Sequence, residues 1–351
     1  MTGTAIAPAL LSWWDDAGRK DLPWQVDQTP YRVWVSEIML QQTQVTTVER
    51  YYDRFLTEFP GVAALANAEL DRVLHLWSGL GYYARARNLH RAAITVRDDL
   101  SGEFPETLDQ LIALPGIGRS TAGAILALSL DQRHPILDGN AKRVLARYFG
   151  VEGWTGSTPN LKLLWQYAED CTPADRPAHY TQAIMDLGAT VCTRSRPSCF
   201  ACPLAAACHA NVAGLTGRIP APRPKRSKPQ RASTLVVLVR DDGAILLERR
   251  PDSGIWGGLW CFPETACADE VADWCVSRLG VSPTRVDVRP VVRHSFTHFD
   301  LDMIPVEARV DATPAGVMDG DRWLWYNRNE PAAVGLAAPV ARMLESFGGK
   351  E

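Results

Sequence analysis

Four of the chain's eight cysteines fall within 17 residues, as Cys192-x6-Cys199-x2-Cys202-x5-Cys208, while the other four are scattered. Four thiolates match the ligand set of a tetrahedral zinc site or of an iron-sulfur cluster. Zinc sites usually come as two close pairs, so a single C-x2-C with a distant arm leans toward a compact cluster, although spacing alone leaves both open. Arg194 and Arg196 sit on that arm and place positive charge beside it.

Two carboxylates are the second chemical resource. Glu37 lies in Val33-Trp34-Val35-Ser36-Glu37-Ile38-Met39-Leu40, where it is either the exposed face of an amphipathic helix or a buried acid. Burial would raise its pKa and keep it protonated near neutrality, as a general acid requires. Asp138, in Leu137-Asp138-Gly139-Asn140, either closes an Asx-turn or stays ionised to face developing positive charge. Two carboxyl groups held in opposite protonation states can cleave a glycosidic bond through an oxocarbenium-like transition state.

The elements that must position these groups include a helix-hairpin-helix. Leu108, Leu111 and Ile112 run at helical period into Leu114-Pro115-Gly116-Ile117-Gly118-Arg119-Ser120-Thr121, and Ser120 or Thr121 is placed to cap the next helix over 123–130. Gly116 and Gly118 lack a Cβ, which lets a phosphate approach the backbone N–H groups at a helix N-terminus. Residues 116–147 hold five basic against two acidic side chains, and residues 73–97 hold four arginines and no carboxylate. Both stretches suit phosphate contacts.

The length of 351 residues suits two domains. Residues 217–233, with four prolines, six basic residues and no acidic one, read as an extended linker. Before it, residues 31–56, 70–76, 88–100 and 123–130 show helical periodicity, so 1–216 form a mostly α domain. After it, 234–239 and 244–248 form a hairpin around Asp241-Asp242-Gly243, 269–279 read as a helix, 286–292 and 301–310 as strands, and 340–347 as a closing helix. Residues 234–351 are therefore a smaller α/β domain. The net charge of -3 is a sum of -3, +6 and -6 over these three segments, so the basic charge is local and leaves a polyanionic partner open. No apolar stretch approaches the ~20 residues of a membrane span, and the N-terminus has no basic region ahead of its short apolar run, which together predict a cytoplasmic protein without membrane attachment.

Glu37, the run Met39-Leu40-Gln41-Gln42-Thr43-Gln44-Val45, Gly79-Leu80-Gly81-Tyr82-Tyr83-Ala84-Arg85-Ala86, the LPGIGRST hairpin, Ile136-Leu137-Asp138-Gly139-Asn140 and the four cysteines closely resemble the A/G-specific adenine DNA glycosylases, the MutY family. The resemblance runs in order from about Trp13 to the C-terminal end. It implies a mostly α helix-hairpin-helix glycosylase domain with a [4Fe-4S] cluster held by Cys192, Cys199, Cys202 and Cys208, followed by a Nudix-like domain. It also implies excision of adenine mispaired with 8-oxoguanine or guanine in double-stranded DNA, by a monomeric, bacterial-type enzyme working at the nucleoid.

Carried onto this chain, the resemblance makes Glu37 the acid that protonates the flipped adenine and Asp138 the carboxylate that stabilises the sugar cation or its adduct. Gln42 and Tyr82 match residues that wedge into the duplex, and Gly116, Gly118 and Ser120 form the DNA-binding hairpin. Gln182, Met185 and Asp186 match an adenine-pocket strip. Endonuclease III-type relatives use a lysine at the hairpin position held here by Ser120, and a hydroxyl cannot form an imine, which points to a monofunctional enzyme that leaves an abasic site. The alternatives, a bifunctional glycosylase/lyase and a noncatalytic damage sensor, are disfavoured by Ser120 and by Glu37. In the C-terminal domain, Trp256-Gly257-Gly258-Leu259-Trp260-Cys261-Phe262-Pro263-Glu264 resembles the segment before a Nudix box, but the Arg-Glu and Glu-Glu pairs of the box do not follow. Recognition of 8-oxoguanine is the role that remains, through Phe296-Thr297-His298, where the family carries Phe-Ser-His.

Overall fold

The computed structural model describes residues 6–224, 227–311 and 322–347. It forms two compact units, Met1–Asn67 with Asn88–Lys225 and Ala68–Arg87 with Arg226–Glu351. Residues 68–87, which precede the expected linker in sequence, group with the second unit. Lys225 and Arg226 of the expected linker lie outside the described residues.

The first unit is helical, as the periodicity predicts. It contains α1 (Ile6–Ala17), α2 (Pro30–Leu40), α3 (Val45–Glu58), α4 (Val62–Asn67), most of α6 (Ala84–Asp99), α7 (Leu108–Ala113), α8 (Arg119–Leu130), α9 (Gly139–Phe149), α10 (Thr158–Cys171), α11 (Pro177–Asp186) and α12 (His209–Val212); α5 (Leu70–Trp77) belongs to the second unit. α2 starts with Thr29 accepting from the Arg32 N–H and Pro30 in its first turn, where a missing donor costs nothing. The single helical run expected over 31–56 is broken after Leu40, because Gln42 takes a left-handed φ of 58°.

α8 is the hub of this unit. Every residue from Ala122 to Leu128 is buried, and α2, α7 and α11 all pack on it. A helix apolar all round must be enclosed, and its alanines and Gly123 let neighbours come close. A Cβ at Gly123 would meet the Pro135 carbonyl oxygen at 2.7 Å.

The second unit is built on an eight-stranded mixed sheet of path β3-β2-β1-β7-β5, with β4 on β1, β6 on β7 and β8 on β2. The strands are β1 (Gln230–Arg240), β2 (Ile245–Arg249), β3 (Trp260–Cys261), β4 (Glu264–Thr265), β5 (Arg285–Val288), β6 (Val292–Ser295), β7 (Asp300–Val310) and β8 (Trp323–Tyr326). β1 and β7 run parallel from Gln230 opposite Asp300 to Arg240 opposite Val310. α13 (Val271–Leu279) buries Val271, Cys275 and Leu279 against Val236, Leu238, Val306 and Ala308, and α14 (Ala338–Ser346) closes the unit. Two expectations change here. β1 begins inside the expected linker, and the strand expected over 286–292 is two strands separated at Arg289-Pro290-Val291, because proline has no N–H to give a ladder.

Gly123→Ala tests the close approach of α8 to residues 134–136. The new methyl has backbone against it, so a loss of roughly 1–3 kcal/mol in unfolding free energy is expected from the midpoint of chemical denaturation; an unchanged midpoint would mean that the approach is looser than drawn.

Candidate active site

Glu37 is carried near the end of α2, between the buried residues Ser36 and Ile38, on a helix that packs against α8. It is half-buried at its surface, yet the packed side chains around it remove enough water to push its carboxyl up to about 8, with the Asp138 charge adding to the effect. The buried reading of Glu37 is therefore the structural one. A carboxyl in this state is neutral at physiological pH and holds a proton to donate.

Asp138 takes the N-cap position of α9, with Oδ1 accepting the Ala141 N–H at 2.7 Å. The cap fixes one carboxylate oxygen and leaves the other outside the cap. One residue earlier, the Leu137 N–H donates to Ser120 Oγ at 2.9 Å. Ser120 thus caps no helix: the N-cap of α8 is Gly118, without a side-chain bond. The hydroxyl instead ties the hairpin to the loop that presents Asp138.

The hairpin glycines differ in what they do. Gly116 has φ 80°, and a Cβ there would meet Asn88 Cβ at 2.7 Å, so the fold itself demands glycine. Gly118 has φ -95°, and a Cβ there would meet nothing within 4 Å. Its bare backbone N–H is open at the first turn of α8, a suitable approach for an external anion. Gln42 is exposed, and Tyr82 is 48% exposed; both carry left-handed backbone, φ 58° and 48°. Non-glycine residues held in that region occur preferentially where a side chain is being aimed. The two lie in different units. Within the second unit the Arg85 guanidinium lies over the rings of Trp77 and Tyr82, 5.3 and 5.8 Å from their centroids.

The strip on α11 is mostly enclosed. Asp186 is fully buried and accepts the Arg19 N–H at 3.0 Å, Arg19 Nε at 3.0 Å and Nη2 at 2.5 Å. Gln182, 7% exposed, donates to Asp186 Oδ1 at 3.0 Å. Met185 is the member of the strip that remains partly exposed. Arg19, 167 positions away, gave no sequence signal for this pairing.

Past Asp186 the helix widens into a π turn, Leu187–Val191, that delivers Cys192. A Cβ on Gly188 would meet Asn140 Cβ at 2.5 Å, so glycine permits this turn to lie on α9. Arg143 joins the two, bonding Asn140 Oδ1 at 2.8 Å, the Gly188 carbonyl at 2.5 Å and the Cys192 carbonyl at 2.6 Å. Nothing in the sequence sets Arg143 apart from the other basic residues of 116–147. Cys192, Cys199, Cys202 and Cys208 all line one cavity and form no disulfide. Among the described residues, no three histidine, cysteine, aspartate or glutamate side chains are grouped to hold a single metal ion.

In the second unit, Thr297 and His298 are exposed at the tip between β6 and β7, where the Phe296 N–H donates to the Phe299 carbonyl at 2.9 Å. Phe296 is not at the tip. Its ring stacks on Phe299 with centroids 4.5 Å apart and stands edge-on to His294 at 4.6 Å, with Trp256 at 5.6 Å. Lys228 Nζ donates to the Phe296 carbonyl at 2.7 Å and to Ser295 Oγ at 3.0 Å, holding the end of the linker segment against this turn.

Comparison with known proteins agrees with both halves. Residues 35–169 match the HhH-GPD superfamily of base excision DNA repair proteins, and residues 234–346 match a NUDIX domain. The chain is 38% identical to an adenine DNA glycosylase of Buchnera aphidicola, covering 99% of each chain, and 35% identical to that of Homo sapiens, covering 95% of this chain and 72% of the human one. A thermostable thymine-DNA glycosylase superposes on 60% of this chain, and the chain on 97% of it, with a TM-score of 0.55 at 26% identity. An endonuclease III–DNA complex shares the fold at a TM-score of 0.52 and 19% identity, over 61% of this chain and 99% of that one. No helix among the described residues is long and apolar enough to cross a membrane. With both family models matched and near full-length relatives in hand, the chain belongs to the adenine DNA glycosylases, the MutY family of base excision repair enzymes.

Proposed function

We propose that this glycosylase removes adenine opposite 8-oxoguanine or guanine by hydrolysis, with Glu37 as general acid and Asp138 as the stabilising carboxylate, and leaves the abasic strand intact. The observation that carries the reading is the Glu37 carboxyl pushed up to about 8 beside a carboxylate capping a helix. A purine leaves poorly as an anion. Protonation by Glu37 makes it a neutral leaving group, and the electron-deficient sugar left behind is met by the Asp138 charge. With the base gone, the ionised Glu37 is a base for the incoming water. The nucleotide must leave the stack to reach these groups, and the exposed Gln42 and Tyr82 are the side chains assigned to fill or hold the gap. Gly116, Gly118 and the first turn of α8 would take phosphate, and Met185 with Gln182 and Asp186 would border the adenine.

Ser120 supports the monofunctional reading: its hydroxyl has no amine to form an imine and is committed to the Leu137 N–H. The four cysteines line a shared cavity, and their spacing, one C-x2-C with a distant arm, supports an iron-sulfur cluster over zinc. Bound there, a [4Fe-4S] cluster would supply a rigid, charged anchor for residues 192–208 rather than a reactant. Residues 1–216 are assigned the chemistry and 234–351 the reading of the opposing base, with Thr297 and His298 making the contacts that Phe296 holds in place. We take the protein to act as a monomer in the cytoplasm, at the nucleoid.

Single-turnover release of adenine from an adenine:8-oxoguanine duplex tests the central reading. Glu37→Gln should slow it roughly 10²–10⁴-fold, borohydride should trap little protein on DNA, and absence of free adenine from the wild-type reaction would sink the reading. Recognition is tested separately. His298→Ala and Phe296→Ala should each reduce the preference for 8-oxoguanine over guanine roughly tenfold while sparing the guanine mispair; equal losses on both mispairs would contradict the assignment.

A further inference from the structure

Arg147, in the last turn of α9, is 2% exposed and has no carboxylate in ion-pair distance among the described residues. Four of its five guanidinium N–H groups are hydrogen-bonded nonetheless. Nη1 donates to Cys192 Sγ at 3.2 Å and to the Thr193 carbonyl at 2.7 Å, Nη2 to the Arg194 carbonyl at 3.1 Å, and Nε to the Ile219 carbonyl at 2.8 Å. A buried cation costs several kcal/mol unless a counter-charge offsets it, and carbonyls supply only partial charge. The remaining partner is the sulfur. Cys192 receives this charged donor, whereas Cys202 and Cys208 are approached by backbone N–H groups, from Leu204 and from Asn211 and Ala210.

We propose that Arg147 is the internal counter-charge of the iron-sulfur cluster, that its hydrogen bond to Cys192 Sγ raises the cluster's reduction potential, and that it clamps residues 192–194 to Ile219 at the start of the linker. The inference rests on reading the four cysteines as cluster ligands. Four thiolates on a [4Fe-4S] core give a net negative group, which the guanidinium offsets where water cannot. A positive charge and an N–H donor at a ligating sulfur both favour the more reduced state. The same fork explains a residue that the glycosidic chemistry leaves unused. Arg147 is a positioning residue here, distinct from Arg143, which bonds the Cys192 carbonyl and Asn140 in the first turn of α9.

The test uses full-length holoprotein purified anaerobically, its iron and acid-labile sulfide content and visible absorption spectrum measured first. Absence of a cluster from the wild-type protein would overturn the underlying reading itself. With the cluster present, voltammetry without DNA should place the potential of Arg147→Met below that of Arg147→Lys, and both below wild type. Exposure to air should bleach Arg147→Met roughly tenfold faster than wild type. A potential in Arg147→Met equal to wild type would overturn the proposal. Should neither variant load iron, wild-type protein labelled with ¹⁵N in its arginine guanidinium groups decides: pulsed EPR of the oxidised cluster should show a ¹⁵N hyperfine coupling, and its absence would overturn the proposal equally.

Discussion

The withdrawal of water from the Glu37 carboxyl is the constraint on which the rest of the site depends. A solvated glutamate would be ionised and would have nothing to donate. Desolvation, reinforced by the Asp138 charge, moves its pKa to about 8. The direction has a thermodynamic consequence. Because the folded value lies above the unfolded one, the stability associated with the neutral carboxyl is complete below about 4.5 and is lost as pH rises through about 8. The fold accepts that loss at roughly 1.4 kcal/mol per pH unit at most. α8, with seven successive buried residues, is the element that makes the site dry and supports it.

Asp138 is placed by local devices. The cap bond to Ala141 and the Ser120 bond to Leu137 N–H orient the carboxylate. Arg143 and the π turn then bind the first turn of α9 to Cys192, so the cysteine loop and the catalytic loop share one scaffold. Asp186 belongs to this scaffold as much as to any pocket. Completely buried, it would be an uncompensated charge without Arg19 and Gln182, and breaking a buried pair of this kind costs about 3–5 kcal/mol.

What could be read from the chain depended on whether the signal was local. The helix periods, apart from the break after Leu40, the LPGIGRST hairpin and the Asp-Asp-Gly turn between β1 and β2 are short-range patterns, and each reappears in the fold. Glu37 was ambiguous because burial of one helix position is decided by what packs around it in the fold. The partners that complete the site were invisible for the same reason: Arg19 meets Asp186 across 167 positions, and Arg147 meets Cys192 across 45. Ser120 was expected either to cap a helix or merely to lack an amine. Its bond to Leu137 N–H depends on the hairpin folding back against residues 134–137. The adhesion of residues 68–87 to the sheet unit likewise follows from tertiary contacts such as Tyr83 Oη to the Leu336 carbonyl, 2.7 Å, that no composition shift announces.

The most direct measurement is a carbon-13 NMR titration of the Glu37 side-chain carboxyl in the folded protein, assigned by its loss in Glu37→Gln. The account predicts a midpoint near 8, so that the carboxyl is still protonated at neutral pH. A midpoint near the ordinary glutamate value of about 4.3 would leave the site without its acid and contradict the account.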